Sequence, residues 1–452
     1  MMKRFLTLFA ATALLGILGG CRGDGLQMSY SSSDISTTPE EHVVLAGFAA
    51  REKLSDGIHI PLKTHALVLK DASGEKVCLI SNDLMEISPA ISDTIRQMIA
   101  ERSGLALDHI LMHNIHTHSA PRSGGRSVLT GGTNRAWKER MFEAVTSNAV
   151  AAINGTFKPF TLETGKAVTS INGNRCEKEE GPVDHDVYVA RFLQKGKPAV
   201  SIINLACHPV CMGPGSLLLS SDYSGVCRRY LTEAWGGEVF QLTVAAGNMD
   251  PAQGPKKVDY AEECGKSLAD SLIGMTFKKV PSKGLLRLVN EEVDLPFQID
   301  SVTAEAVARH ADSLAATART VFPRFADDVM GWKEEILKRF EAGPVPSKLR
   351  YHLHGLDVDG VIFFFSDGEP FCEYQMEARA AFPDRTVFFA GYTNGQNSYL
   401  PSEHAYQVRK GYEYEIEQMH VYIKAPYPLS ERMPATYRAG VIDTIRETIE
   451  SE

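Results

Sequence analysis

The 452-residue chain has no excess of positive charge, since 47 Lys and Arg residues stand against 56 Asp and Glu residues. Its formal net charge is -9 and its pI is about 5.9. Proteins that bind nucleic acid usually present a surplus of lysine and arginine to the phosphates, so this balance argues against such a partner. The sequence also contains no internal repeat and no low-complexity region, which excludes a repeat architecture.

Long hydrophobic runs are missing after the first 18 residues. The run from Phe5 to Leu18 follows a basic Met-Met-Lys-Arg start and is too short to cross a bilayer, which is typical of a secretory signal. Leu18-Gly19-Gly20-Cys21 resembles a bacterial lipobox and predicts acylation of Cys21; the alternative is an ordinary signal with a chance cysteine. More than one acyl chain would anchor the protein stably. We therefore expect a lipoprotein of the bacterial cell envelope, facing the periplasm or the outside.

Three segments follow from this interpretation. Residues 1–20 are expected to be the lipoprotein signal peptide, and residues 21–41, rich in Ser, Thr, Gly and Asp, a flexible tether to the membrane. Residues 42–452 are expected to form a single domain.

Cysteine is also scarce. Eight are present, and without Cys21 an odd number remains, so at least one thiol is free unless it pairs between chains. Cys207 and Cys211 flank His208, but their spacing has no matching second pair, which favours a structural role over metal binding.

Apolar runs and helical patterns alternate along the chain. Helices are predicted over 90–102, 136–153, 222–234 and, interrupted by Pro323, 304–340. The alternation predicts an α/β fold, a mixed β-sheet core flanked by helices, with a helical segment at about 300–345. Asp222 is expected either to cap its helix or to orient a ligand residue.

His116-Thr117-His118 lies at the end of a predicted strand over 108–115. Side chains alternate along a strand, so His116 and His118 are expected to point the same way and His113 the other way. Imidazole is the usual ligand for zinc-like metals and a common proton shuttle. Two hydrogen-bonded loop histidines are the alternative interpretation. Elsewhere, a structural role is favoured for His352, His354 and His185.

Three more predicted strands end in polar residues. His208 follows the run 199–205, Asn248 and Asp250 follow 242–246, and Glu369 follows 360–365. In α/β proteins, sites collect in the loops beyond strand ends, so we expect these residues to converge with His116.

In this order the motifs resemble the neutral/alkaline (non-lysosomal) ceramidase family, metal-dependent amidohydrolases that cleave N-acylsphingosines. The resemblance runs from about residue 46 to about residue 414. It is carried by Ile115-His116-Thr117-His118-Ser119-Ala120-Pro121, Asn174-Arg175, Cys207-His208-Pro209, Ser220-Ser221-Asp222, Gly247-Asn248-Met249-Asp250-Pro251, Asp367-Gly368-Glu369-Pro370-Phe371 and Asn394-Gly395-Gln396-Asn397-Ser398-Tyr399.

The resemblance implies a set of roles. One Zn²⁺ ion would be held by His116, His208, Glu369 and Tyr399. If the register slips, Glu373 replaces Glu369.

The remaining implied roles concern the substrate. The implied catalytic residues are His118 and Arg175, which would lie around the scissile carbonyl, and Tyr412, which falls near a second family tyrosine, offset by one position. Asn248 and Asp250 are expected to bind the substrate.

The sequence departs from the family pattern at several positions. Asp250 stands where the family has serine, and Asn248 where it has aspartate. Ala120 and Arg122 replace glycines at the lip of the site, and no C-terminal β-domain is expected after the motif region. These departures leave the substrate open, as an acylated lipid or an acylated glycan.

Two functions are therefore expected from the sequence. The first is a metal-dependent hydrolase that cleaves an amide or ester bond with activated water. The second is a metal-stabilised surface lipoprotein that binds a glycan or lipid without cleaving it.

Overall fold

The computed structural model describes residues 25–48, 51, 53–123, 135–177, 180–252, 254–321, 323–395, 398–408 and 413–450. Cys21 and Tyr412, singled out above, lie outside these residues, as does the expected signal peptide. None of the described helices combines the length and the apolar character needed to span a membrane.

Strands and helices alternate, as the sequence predicted. The described helices are α1 Pro89–Ser103, α2 Arg135–Ile153, α3 Asp222–Trp235, α4 Val258–Ile273, α5 Ala304–Val321, α6 Pro323–Ala342, α7 Cys372–Ala381, α8 Glu403–Val408, α9 Glu413–Tyr422 and α10 Met433–Glu450. The strands are β1 Gln27–Asp34, β2 Gly57–Ile58, β3 Lys63–Lys70, β4 Lys76–Asn82, β5 Ile110–Asn114, β6 Lys158–Pro159, β7 Thr161–Val168, β8 Asn172–Asn174, β9 Asp186–Gln194, β10 Lys197–Leu205, β11 Leu218–Leu219, β12 Glu238–Thr243, β13 Met249–Pro251, β14 Phe277–Lys279, β15 Leu286–Pro296, β16 Lys348–Val358, β17 Val361–Ser366, β18 Glu369–Pro370, β19 Thr386–Ala390 and β20 Tyr399–Leu400.

The strands form three larger mixed sheets instead of one core sheet. Their orders are β5-β4-β3-β1-β6, β12-β10-β9-β7-β14 and β15-β16-β17-β19. Each sheet contains one parallel pair, β4–β5, β10–β12 or β17–β19. The predicted mixed α/β fold is confirmed, and the division into several sheets refines it.

A single histidine joins the three sheets. His113 lies in β5, and its Nδ1 donates to the carbonyl of Gly391, just after β19, at 2.9 Å. Its Nε2 accepts from the backbone N–H of Thr243, the last residue of β12, at 2.9 Å. The carboxyl ends of β5, β12 and β19 are therefore held together, and the loops that follow them share one region.

The flexible tether predicted over 21–41 is wrong for residues 27–34. These residues form β1, which pairs with β3 along its whole length, from Gln27 opposite Lys70 to Asp34 opposite Lys63. The serine-rich sequence offers few apolar side chains, but Met28 is fully buried in a hydrophobic core to which all three larger sheets contribute. Pairing with a neighbouring strand has overridden the local composition.

The helices cover the outer faces of the sheets. α1 and α2 pack on the first sheet, where Trp137 and Ile95 are fully buried. α3 and α4 pack together beside the second sheet, and α10 packs against β15 and β16 of the third. α5 and α6 pair with each other around Phe325 and Trp332, as expected for a separate helical segment, and α6 begins at Pro323.

Candidate metal centre

Loops from all three sheets bring two histidines and a glutamate into contact. His116 follows β5, His208 follows β10, and Glu369 opens β18, just beyond β17; all three are buried. The Oε2 atom of Glu369 lies 3.1 Å from His208 Nε2 and 3.3 Å from His116 Nε2. Neighbouring ligand atoms around a tetrahedral ion with bonds of 2.0–2.1 Å are about 3.3 Å apart, so the spacing fits a metal such as zinc.

The outer nitrogens of the two histidines are fixed by backbone carbonyls. Nδ1 of His116 donates to the carbonyl of Met85 at 2.9 Å, and Nδ1 of His208 donates to that of Met249 at 3.1 Å. A carbonyl can only accept, so each Nδ1 carries a proton and each Nε2 presents a lone pair toward Glu369. Metal-binding histidines are usually oriented in this way.

His118 belongs to the same cluster but is held differently. His116, His118 and His208 form a group that could hold a metal ion, with one ligand nitrogen each within 4.8 Å of the others. His118 Nε2 lies 3.3 Å from His116 Nε2. Its Nδ1 is buried and has no hydrogen-bond partner among the residues that the structure describes.

Two of the imidazoles, those of His118 and His208, favour their neutral form. Burial lowers the pKa of His118 well below its usual range, and the neighbouring His116 and His208 add to the effect while Glu369 opposes it. Burial also lowers the pKa of His208, helped by the positive charge of Arg175. Uncharged imidazole is the form that binds a cation.

The carboxylate in contact with the two histidines belongs to Glu369, and the carboxylate of Glu373 makes other contacts. Glu373 accepts hydrogen bonds from Asn248 Nδ2 at 2.9 Å and from Ser402 Oγ at 2.5 Å. Glu369 pairs with Tyr399 across the β18–β20 ladder, so the two residues are direct neighbours. The structure thereby places Glu369 and Tyr399 beside the two histidines, whereas the hydrogen bonds of Glu373 come from Asn248 and Ser402.

Arg175 lies beside this region with its guanidinium already engaged. Nε and Nη2 donate to the carbonyl of Gly247 at 3.1 and 2.7 Å. Nη1 lies 3.4 Å from Asp250 Oδ1, and Cζ lies 5.4 Å from the centre of the Tyr399 ring. Arg175 therefore connects the loop after β12 with β20.

Asp250 is surrounded by positive charge. Burial opposes ionisation of its carboxyl, but Arg175, His208 and Lys256 outweigh burial and lower the pKa of Asp250. Lys256 Nζ lies 3.1 Å from Oδ2. The residue that stands where the related family has serine is thus an ionised partner of Arg175.

The oxygen and the nitrogen of the Asn248 side-chain amide are both hydrogen-bonded within the protein. Its Oδ1 accepts from the backbone N–H of Cys372 at 2.9 Å, and its Nδ2 donates to Glu373. Its backbone carbonyl accepts from Arg175 N at 2.9 Å. These contacts fix the start of α7 relative to the loop after β12.

Asp222 positions the loop behind His208. The expected capping role is wrong, because Ser221 occupies the N-cap and Asp222 is the first helical residue. The Asp222 carboxylate accepts from the backbone N–H groups of Cys211 and Met212, each at 3.1 Å. Burial raises the pKa of Asp222, although these backbone donors oppose the shift.

Sequence reasoning missed Tyr392. Its ring centre lies 4.6 Å from that of His116 and 6.2 Å from that of His208, and the residue is buried. Its backbone has φ of 55°, a conformation that few residues other than glycine adopt. The available signal was its place two residues after β19, at the same strand edge as the histidines.

The histidines expected to be structural lie in other networks. His352 contacts Asp367, and His185 contacts Asn172. His354 is bonded on both ring nitrogens, by Asn290 and Asn394.

The chain is similar in sequence to known ceramidases. Residues 27–248 match the family model described as neutral/alkaline non-lysosomal ceramidase, N-terminal. The chain is 22% identical over 231 residues to a neutral ceramidase of Oryza sativa subsp. japonica, covering 47% of this chain and 29% of that protein. It is 25% identical over 209 residues to neutral ceramidase A of Dictyostelium discoideum, covering 42% and 29%. The matched segments span less than a third of these relatives.

Solved structures share the fold over most of the chain. The crystal structure of neutral ceramidase from Pseudomonas aeruginosa matches with a TM-score of 0.66 and 17% identity, over 94% of this chain and 75% of that one. A structure described as ceramidase complexed with C2 matches with a TM-score of 0.69 and 16% identity, over 94% and 76%. At such identities the likeness concerns the fold alone. Together with the match over residues 27–248, it confirms the resemblance to the neutral/alkaline non-lysosomal ceramidase family that the sequence motifs indicate.

Proposed function

We propose that the protein is a metal-dependent hydrolase that cleaves the amide bond of an N-acylated lipid. The observation that carries this proposal is the contact of His116, His208 and Glu369, whose ligand atoms lie 3.1 to 3.3 Å apart. The ceramidase relatives support an N-acylated lipid as the substrate class. An ester of an acylated glycan is the other substrate to be tested.

The donor set fits one Zn²⁺ ion. Two neutral imidazoles and one carboxylate are the usual protein ligands of a catalytic zinc, and a further position stays available for water or substrate. Tyr399 is proposed as an additional ligand because it lies directly opposite Glu369 in the β18–β20 ladder. When bound, such an ion supplies Lewis-acid activation of water and of an acyl carbonyl.

His118 is proposed as the proton-transfer residue. Its Nε2 lies beside His116 Nε2, at the cluster, and its Nδ1 has no partner among the described residues, so the ring is the nearest imidazole outside the proposed ligand set. A proton accepted from the attacking water can be passed to the departing amine.

Arg175 is proposed to bind the acyl oxygen. Guanidinium offers fixed donors, and Gly247 and Asp250 hold it beside Tyr399. Asp250, standing in place of the family's serine, acts on Arg175 through its charge. Tyr412 keeps the role that the family resemblance implies, near the substrate.

The location is also a proposal. We infer that acylation of Cys21 anchors the protein in the bacterial envelope, which would bring the site close to lipid substrates. The substrate is then expected to reach the site from a membrane or from lipid released into the periplasm or the medium.

The test is release of fatty acid from a panel of N-acyl lipids and O-acyl glycans by the full-length protein. We expect cleavage of N-acyl lipids that His116→Ala and His208→Ala abolish. His109→Ala is the matched control, because His109 precedes β5, at the end of the strand opposite His116, and is bonded to the carbonyl of Lys76; this variant should keep parental activity. Binding of these lipids or glycans without any product would overturn the proposal in favour of a binding lipoprotein.

A further inference from the structure

A short segment before β2 covers one face of His118. The backbone N–H of Ala46 donates to the carbonyl of Ala120 at 2.9 Å, which fixes the segment beside the histidine loop. Gly47 has φ of 94°, and a Cβ there would lie 2.3 Å from Cγ of His118. The Phe48 ring meets the His118 ring edge-on, with 5.0 Å between centres. The imidazole therefore has room for one orientation on this side.

Arg51 ends the segment and is buried, with 5% of its surface exposed. Its Nη1 donates to the carbonyls of Ala46 and His118, each at 2.8 Å, and its Nη2 donates to that of Gly213 at 3.0 Å. Cζ lies 5.0 Å from the centre of the Phe48 ring. One guanidinium thus joins three segments, among them the loops that carry both histidine motifs.

Arg51 makes these contacts without a carboxylate. Within the described part of the chain it forms no ion pair, and burial alone lowers its pKa to about 10. A buried charge with no opposite charge is costly, and three carbonyl oxygens offset only part of that cost. Stability alone is a poor reason for such an arrangement, since an apolar side chain would fill the space without it.

The contacts of Arg51 help to fix the position of His118. The backbone N–H of His118 donates to the carbonyl of Pro209 at 3.2 Å, and its own carbonyl accepts from Arg51. His116 and His208 are oriented through their Nδ1 atoms, whereas Nδ1 of His118 has no hydrogen-bond partner in the part of the chain that the structure describes. The orientation of His118 is therefore fixed by hydrogen bonds of its backbone and by packing of its ring. A hydrogen bond of Nδ1 fixes the orientation of His116 and of His208.

We propose that Arg51 is a positioning residue for His118. This inference rests on the proposed function, in which His118 transfers a proton. Arg51 acts through the backbone of His118 and the packing of Phe48. Its planar fork reaches three carbonyls at once, which the single ammonium group of lysine cannot reproduce.

The kinetic test compares Arg51→Lys and Arg51→Ala in the full-length protein with Arg350→Ala, an exposed arginine paired with Asp294. We expect both Arg51 variants to keep the parental metal content. Their kcat should fall roughly 10- to 100-fold with KM changed less than about twofold, because a misplaced catalytic group slows the reaction without weakening binding. Added guanidinium ion should restore part of the activity of Arg51→Ala.

A second measurement is independent of turnover. In protein labelled with ¹⁵N-histidine, the ring signals of His118 are assigned by their loss in His118→Gln. We expect Arg51→Lys to broaden or split these signals and to leave those of His116 and His208 unchanged.

An unchanged His118 signal with parental kcat would overturn the proposal. Loss of metal together with shifts at all three histidines would overturn it too, in favour of a general structural role. If the parent cleaves no N-acyl lipid, the proposed function fails, and the ring signals still decide whether Arg51 orders His118.

Discussion

His208 Nε2 lies 3.1 Å from Glu369 Oε2, although 161 residues separate them in the chain. Because Nδ1 of His208 donates to the Met249 carbonyl, its Nε2 presents a lone pair to the carboxylate. Two buried acceptors facing each other repel, and a cation between them turns that repulsion into coordination. The same relation holds between Glu369 and His116, so one ion satisfies both contacts.

Metal removal is expected to destabilise the folded protein. An ion that binds only the folded state adds about 2.7 kcal/mol when its free concentration is 100 times Kd. Dialysis against a chelator should therefore lower Tm, and zinc should restore it. Thermal unfolding measures both steps. His116→Ala should show the lower Tm from the start and no response to zinc, and an equal zinc response in that variant would contradict the ligand assignment.

His118 distinguishes a proton-transfer residue from a third histidine ligand. With His116, His208 and Glu369 intact, we expect His118→Gln to keep its metal and to lose activity by roughly 10²- to 10⁴-fold, the usual contribution of an acid–base group. Elemental analysis and product release are measured on the same preparation. Loss of the ion from His118→Gln would instead make His118 a ligand of the three-histidine cluster.

The two neighbouring glutamates should respond differently to removal of their charge. Glu369→Gln is expected to lose most of the metal, because its carboxylate faces both histidines. Glu373→Gln should keep the metal and lower the free energy of unfolding by about 1–3 kcal/mol, since its bonds from Asn248 and Ser402 are disturbed. Metal content and urea unfolding separate the two effects. Metal loss in Glu373→Gln alone would reverse the assignment.

Acid is expected to destabilise the protein through histidines outside the metal centre. Burial lowers the pKa of His354 to about 3, with smaller contributions from Arg96 and His352. Its ring is held neutral, with Nδ1 donating to Asn290 and Nε2 accepting from Asn394.

The direction of this pH effect on stability follows from the unfolded state, in which the pKa of histidine is about 6.5. The contribution of neutral His354 is complete above about pH 6.5 and is lost as the pH falls toward 3, by about 1.4 kcal/mol per pH unit. Urea unfolding of parent and His354→Gln at pH 7.5, 5.5 and 4.5 measures the difference in slope. Parallel pH dependence in the two proteins would show that His354 is not held neutral.

Much of the candidate site could be predicted from the sequence, because local sequence patterns indicate where its residues lie. A strand reveals itself by an apolar run, and the polar residue that follows it, such as His116, His208 or Glu369, marks the strand end. Parallel neighbours then place these ends at a common edge. The division into three sheets could not be predicted from the sequence, because it depends on contacts such as those of His113 with Thr243 and Gly391.

The features that the sequence did not predict depend on contacts between residues far apart in the chain. β1 has the composition of a linker and becomes a strand only because β3 offers it a partner. Tyr392 and Arg51 belong to no motif, and their importance arises from a ring 4.6 Å from His116 and from a bond to the His118 carbonyl. For Asp222 the sequence left two roles open, a helix cap or the orientation of a ligand residue, and its bonds to the loop after His208 favour the second.

The most direct measurement is the metal content of the full-length protein, determined by elemental analysis beside His116→Ala and His208→Ala. We expect about one zinc-like ion per parent chain and its loss from both variants, since a single ion shares these ligands. A parent that is purified without chelators, contains no metal and takes up none when zinc is added would contradict the metal-dependent mechanism. The family likeness would then describe the fold alone.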